Sequence, residues 1–443
     1  MLGSGFSASS LERGVEMGAD VIACDGGSTD GGPHALATGQ PRFPRKAVKR
    51  DTALLLAAAT RLGVPLIIGS AGSAGGDVNV DWQVSIIREI AAEQGLHCRL
   101  AVIKSEQTRA ETKESLRRGR IHPLPPSSPL TEELVDECSH IVAMMGAEPI
   151  QEALQAGANV IVAGRSTDSA LYAALPLLRG FPPGLAWHAG KILDCGAACV
   201  VSRSAPDSMM AVLREDSFDV VPLHEDYVCT PQSVAAQVLY ENSDPHFIRE
   251  PSGTVVTEES EYSPLPPRSV RIRGSSFLPA SAYSVKLEGV RSAGWSSIFM
   301  GGVRDPYILG ELDAWIKRFE EHARHRFADV TSDPDSIRMH VGVYGRDGVM
   351  GGLEPTPRFE GHEALVLCDL LSPSQETSHA AAAVAFHALL HNPTPKWSGS
   401  ISGIASPVVP AVIDRGEVYE FCLNHILLPD SPLSPVRMQY TDL

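Results

Sequence analysis

The sequence contains no run of the roughly 18 apolar residues that a bilayer-spanning helix needs. Its amino end lacks a charged segment followed by an apolar one, so neither a membrane span nor a secretory signal is expected. Its eight cysteines include no Cys-x-x-Cys pair. The closest spacing, Cys195 to Cys199, is one helical turn without zinc-type partners nearby, so no metal site is expected and the thiols read as those of a reduced, cytoplasmic protein. Positive charge is in deficit. A formal net charge of −16 excludes nucleic acid as the main partner, although a few local arginines can still hold an anionic small molecule. No loop ends in the Gly-Lys-Ser/Thr of a phosphate loop. "GSAGSAGG" has the glycines of a dinucleotide fingerprint but lacks the ribose-binding acid at the expected distance.

With 443 residues, 43% of them hydrophobic and 20% charged, the chain is an ordinary globular composition too long for one core. Two domains are expected, 1–215 and 216–443. The first half alternates unbroken apolar runs ("DVIAC", "PLIIG", "LHCRLAVI", "HIVAMMG", "NVIVAG") with helical stretches. Apolar strands without alternation are buried on both faces, which predicts an α/β domain with a parallel sheet flanked by helices. From about residue 216 the pattern becomes short alternating strands separated by Gly, Pro and Asp turns, interrupted by helices near 306–325 and 376–391. This predicts a second, α+β domain.

One phrase is written twice: "GADVIACDGGSTD" at 18–30 and "GANVIVAGRSTD" at 157–168. Ligands of open parallel sheets bind beyond the carboxyl ends of the strands, so the two Ser-Thr-Asp loops are expected at one sheet edge within reach of a shared ligand. Small, polar loops let backbone N–H groups approach an anion. Four such loops supply the candidate binding residues: Ser4, then Ser28, Thr29 and Asp30, then Ser70 and Ser73, then Arg165, Ser166, Thr167 and Asp168. Asp168 and Asp77 also suit helix N-caps. Asp25 follows an apolar run and precedes two glycines, a position from which a carboxylate can hold a base or a substrate hydroxyl.

The densest chemistry is "AWHAGKILDCGAACV", 186–200. In a continuous helix His188, Lys191 and Cys195 share one face. A lysine in such apolar company has a lowered pKa and suits a base or nucleophile, and histidine suits proton transfer. The ammonium of Lys191 is expected near His188 or Asp25. Asp25, His188, Lys191 and Cys195 are therefore the candidate catalytic groups. In the second half, Lys286 and Glu288 form an easy pair along one strand, and Arg304 could clamp a carboxylate. His387, His391 and His425 read as structural.

The runs "GSGFS", "CDGGSTDGGP", "PLIIGSAGSAGGD", "GRSTDSALYAALPLLRGFPPGLAWHAGKILDCGA", "YSVKLEGV" and "FMGGVRDP" resemble the acyclic terpene utilisation protein family (AtuA). The resemblance implies a cytosolic catabolic role. It also implies a small ferredoxin-like partner, since many relatives carry such a domain as an extension, and a strand ahead of the Gly-Ser-Gly loop that would make Met1 an internal start. A homo-oligomer is a further expectation. Together with the acid–base residues this suggests a lyase, hydratase or isomerase acting beside the carbonyl of a small or CoA-linked branched acid, with CoA entering as part of the substrate. The alternatives are amide or thioester hydrolysis through Cys195 or a loop serine, and a non-catalytic binding subunit completed by its partner.

Overall fold

A computed structural model describes residues 1–242, 244–356, 359–394, 396 and 402–443. The first strands are β1 (Ile22–Asp25), β2 (Leu66–Gly69), β3 (Arg99–Lys104), β4 (Ile121–Pro123), β5 (His140–Met144) and β6 (Val160–Ala163). The helices of this part are α1 (Ala8–Met17), α2 (His34–Thr38), α3 (Arg45–Leu62), α4 (Asp77–Gln94), α5 (Arg109–Arg117), α6 (Glu132–Glu137), α7 (Glu148–Gln155), α8 (Asp168–Leu178) and α9 (Pro183–Leu193). Every residue of β2 (LIIG) and β6 (VIVA) is buried, as strands covered on both faces must be. β1, β2, β6 and β3 run parallel in that order, so the loops that follow β1, β2 and β6 leave from the same sheet edge. β1 is an edge strand. Beyond it the Leu2 N–H donates to the Asp25 carbonyl at 3.0 Å, and an apolar cavity of about 320 Å³ opens beside Val21, Tyr172, Leu193 and Met210.

"HIVAMMG" departs from the expectation. β5 stays out of the parallel sheet and pairs antiparallel with the later strand Val285–Val303 (β14), as the ladder from Val290↔His140 to Lys286↔Met144 shows. An apolar run reports burial on both faces and not the identity of its neighbours.

The remaining strands are β7 (Met209–Leu213), β8 (Ser217–Pro222), β9 (Phe247–Glu250), β10 (Gly253–Val256), β11 (Glu261–Leu265), β12 (Ser269–Arg273), β13 (Ser276–Pro279), β14 (Val285–Val303), β15 (Arg338–Tyr344), β16 (Ala364–Ser372), β17 (Val412–Leu427) and β18 (Arg437–Asp442). Their helices are α10 (Pro231–Gln237), α11 (Pro306–Gly310), α12 (Leu312–Arg326) and α13 (Gln375–Leu390). β13-β10-β9 and β11-β12-β8-β7 form small antiparallel sheets. The protein is thus mixed α/β, with a largely parallel sheet and several antiparallel ones.

The chain divides into two compact units, Met1–Arg291 with Phe421–Leu443, and Ser292–Glu420. Residues 216–291 and 421–443, expected with the second domain, therefore cluster with the first. The reason is a shared core: Phe218, Val220, Val234, Ile248, Val270 and Ile272 are buried with Ile67, Leu171 and Trp187. In addition β18 extends the parallel sheet by pairing antiparallel with β3. The second unit packs Trp315 and Phe319 of α12 and Ala381 and Ala385 of α13 around Phe299 and the inward side of β16. The strict alternation of burial along β16 gives that sheet one covered face. Among the described residues no helix is long and apolar enough to cross a membrane.

Candidate functional site

The loops after β1, β2 and β6 meet, and a buried carboxylate that belongs to none of them holds them together. Glu288 of β14 is 5% exposed. Its Oε2 accepts from Thr29 Oγ1 at 3.0 Å and from Arg165 Nε at 3.0 Å, and its Oε1 accepts from Lys286 Nζ at 2.8 Å. Thr29 comes from the first Ser-Thr-Asp loop and Arg165 from the second, so both walls are tied to one acid. Burial alone would raise the Glu288 carboxyl, but Arg165 and Lys286 outweigh it and hold it down at about 2. The third loop joins through Ser70, whose Oγ accepts from Arg165 Nη1 at 3.2 Å and from the Ser166 amide at 3.4 Å.

Two glycines make this convergence possible. Gly27 (φ +145°) would bring a Cβ to 2.5 Å from Ser73 Cα, and Gly75 (φ +70°) would bring one to 2.2 Å from the Arg165 amide nitrogen. Ser73 Oγ accepts from the Arg42 amide at 2.9 Å, and Ser28 Oγ donates to Asp30 Oδ2 at 2.8 Å. These two hydroxyls are engaged in shaping the loops.

Acids gather around this framework. Asp168 opens α8, and its Oδ1 is buried with no hydrogen-bond partner, 4.0 Å from Arg165 Nη1. Burial pushes its carboxyl up to about 8; Arg165 opposes the rise, and Asp194, Asp25 and Glu241 add to it. Asp25, whose Oδ1 stands 3.3 Å from the Met1 amino group, is raised by burial against the opposing pull of that group. Thr167 Oγ1 donates to Glu250 Oε2 at 2.8 Å, and burial raises Glu250 to about 7.

Oxygens of Asp168, Asp194 and Glu241 all lie within 4.8 Å of one another, a spacing that a divalent cation could bridge. Lys191 already neutralises one of the three, its Nζ standing 3.1 Å from Asp194 Oδ2 with both residues buried. The same ammonium lies 5.8 Å from the centre of the Tyr240 ring. A proton on Asp168 relieves the remaining repulsion, in line with its raised pKa.

Lys191 therefore faces the acidic cluster, with Asp194 as its partner in place of the expected His188 or Asp25. His188 goes elsewhere. It is fully buried, with Nδ1 2.7 Å from Ser275 Oγ, Nε2 3.2 Å from the Tyr262 hydroxyl, and the ring edge-on to Phe218. Burial drives its pKa down to about 3, so it stays neutral at physiological pH. The two residues part company because α9 is buried around its whole circumference from Gly184 to Ile192, and each face meets a different neighbour.

Cys195 does not share a helical face with them. α9 stops at Leu193, and Cys195 follows at φ 49°. Burial around the sulfur, reinforced by Asp194, Asp25 and Glu241, pushes its thiol up to about 12, the opposite of an activated nucleophile. Ser4 also lies apart. It is exposed and donates to the Met1 carbonyl, and the Gly3 and Gly5 amides of its loop are taken by Asp51 Oδ2 at 2.8 and 3.1 Å. Those amides are not available to an anion. Arg304 is an exposed residue of the second unit.

His188→Ala is accordingly expected to lower the melting temperature by several degrees, since it opens a cavity and takes from the Tyr262 hydroxyl its His188 partner, while Ser275 keeps Ser260 at 3.1 Å. Any chemistry at the acidic cluster should proceed at an unchanged rate per folded molecule. Calorimetry alongside an activity assay checks both halves.

Asp194, which the dense 186–200 stretch offers beside Lys191, completes the site together with Glu241, Glu250 and Glu288, none of which was counted as a site residue. The signal of the three glutamates in the sequence is faint, because each reaches the loops through long-range packing.

Residues 53–201 match the family model of the acyclic terpene utilisation family protein AtuA, which shows the family resemblance over that stretch. The match is less than half of the chain and takes in the loops after β2 and β6, α8, α9 and Lys191. No curated protein and no solved structure matches the chain.

Proposed function

Taking the acyclic terpene utilisation match over residues 53–201 as premise, we propose that this protein is a catabolic enzyme that moves a proton beside the carbonyl of a small or CoA-linked branched carboxylic acid. The observation that carries this reading is Asp168, a carboxyl with an unpartnered buried oxygen and a pKa raised to about 8 at the edge where three loops converge. A general base works best when its pKa lies near the operating pH.

In this reading Asp168 takes the proton from the carbon next to the carbonyl. The charge that develops on the carbonyl oxygen is met by Lys191 and by the amino end of α8. Glu250, raised to about 7, supplies a second group able to give or take a proton on the other side of Thr167. Two such groups support a reading in the lyase, hydratase or isomerase class. Hydrolysis through Cys195 finds less support, because its thiol is held far from the thiolate form.

The test is isotopic and does not require knowing the product. Branched acyl-CoA thioesters and the corresponding free acids are incubated with the protein in D₂O, and deuterium at the carbon next to the carbonyl is read by mass spectrometry. Enzyme-dependent incorporation is expected for at least one of them. Absence of exchange across the series, with a folded protein, overturns the proposal.

A further inference from the structure

Away from the acidic cluster, the first unit brings two thiols into contact. Cys138 directly follows α6 and is 1% exposed, whereas Cys422 lies half-buried on β17. Their sulfurs are 3.3 Å apart although 284 positions separate them along the chain. The space is kept open by a glycine. A Cβ at Gly289 of β14 would stand 3.2 Å from Cys138 Sγ and 2.7 Å from Leu423 Cβ.

We propose that Cys138 and Cys422 form a reversible disulfide when the protein meets a hydroperoxide, fastening the segment between α6 and β5 to β17. The sulfurs must close by a little over ~1 Å to reach bonding distance, a displacement within reach of side-chain rotation. The neighbouring thiol and burial hold Cys138 well above the ordinary thiol range. This leaves the more exposed Cys422 as the group that reacts first.

Cys422 loses its proton and its sulfur attacks one peroxide oxygen. The O–O bond breaks, and with hydrogen peroxide the products are a Cys422 sulfenic acid and one water. The Cys138 sulfur then attacks the Cys422 sulfur, the S–O bond breaks, and the departing hydroxide takes the Cys138 proton as a second water. Two thiols give up two electrons and two protons, and the peroxide accepts them. A dithiol reductant reverses the bond by exchange.

The location gives the bond a consequence. Ile141 of β5 pairs with Gly289, and Val142 with Glu288, the carboxylate that ties the site loops together. The crosslink would therefore brace the strand pair next to that carboxylate.

The experiment exposes the folded wild-type protein to a small excess of hydrogen peroxide, then counts thiols after denaturation and maps peptides. Loss of two of the eight thiols is expected, with Cys138 and Cys422 recovered as one linked peptide that dithiothreitol separates. The oxidised protein should melt several degrees higher, and Cys422→Ser should abolish that rise, whereas Cys195→Ser should keep it. Recovery of Cys138 and Cys422 as thiols while Cys195 is oxidised would sink the proposal. So would overoxidation of Cys422 without linkage, or linkage to a different cysteine. The peptide map decides the matter on wild-type protein even if a variant fails to fold.

Discussion

Asp168→Asn is expected to slow deuterium exchange beside the substrate carbonyl by at least ~100-fold, the scale of a lost general base, while making the protein more heat-stable. The two effects have one cause. An isosteric amide cannot accept the proton, but it also cannot carry the charge that burial and the neighbouring Asp194, Asp25 and Glu241 oppose. The folded carboxyl titrates at about 8 against an ordinary 3.8, so between those values the folded state binds more protons than the unfolded chain. Its favourable contribution is full below the lower value and is lost as pH rises through the upper one. The variant lacks this loss. Its melting temperature should therefore exceed that of the wild type by several degrees or more near neutrality, and the gap should widen from pH 5 to about pH 8 and level off above it. Wild-type exchange should rise with pH through about 8 as the base is unmasked. Calorimetry and deuterium incorporation over one pH series read both quantities. Full exchange in Asp168→Asn would move the base to Glu250. A variant that is inactive and less stable would mean that Asp168 is structural.

Much of this site was legible because its parts obey local rules. The strand-to-loop phrase written twice gave two parallel strands, and the carboxyl-end rule put both Ser-Thr-Asp loops at one edge, where Thr29 and Arg165 do meet on Glu288. Lys191 was legible for a similar reason: a cation in so apolar a segment needs a partner. The partner's identity was harder, since Asp194 is set by the break after Leu193 and a smooth helix over 186–200 hides that break. His188 misled because spacing on a helical wheel says which residues share a face, whereas α9 has a wall on every face. The acids from β9 and the segment after α10 had no local signal. Glu288 read as half of a strand ion pair with Lys286, which it is, but its second oxygen serves residues 123 and 259 positions away. Neither periodicity nor spacing encodes contacts of that range. The unit boundary was hidden similarly: the alternation that begins after residue 216 marks a change of sheet type, while the core that holds those strands is shared with α8 and α9.

The largest loss of stability should come from Glu288→Gln. The amide keeps the shape and can still accept from Thr29, but it takes away the carboxylate charge paired with the Arg165 guanidinium, 4% exposed, and leaves only Asp168, 4.0 Å away and itself raised towards its neutral form. Removing one partner of a buried pair costs about 3–5 kcal/mol, because the other charge stays desolvated. With roughly 2–4 °C per kcal/mol for a sizeable domain, the melting temperature should fall by about 10 °C. Exchange activity should fall too, since the same carboxylate holds the Thr29 and Arg165 loops in register. The pH dependence carries the opposite sign to that of Asp168. Glu288 titrates at about 2 when folded against an ordinary 4.5, so its contribution is complete above 4.5 and is lost as pH falls towards 2. Wild type and variant should therefore converge in acid and diverge at neutrality. A second substitution separates the charge from the geometry. Arg165→Met in the Glu288→Gln background removes the stranded cation and should restore a good part of the stability, while the loops, now without their tie, should stay inactive. If Glu288→Gln melts with the wild type at pH 7, or if the double variant is no more stable than Glu288→Gln alone, the buried pair is not what holds the three loops together.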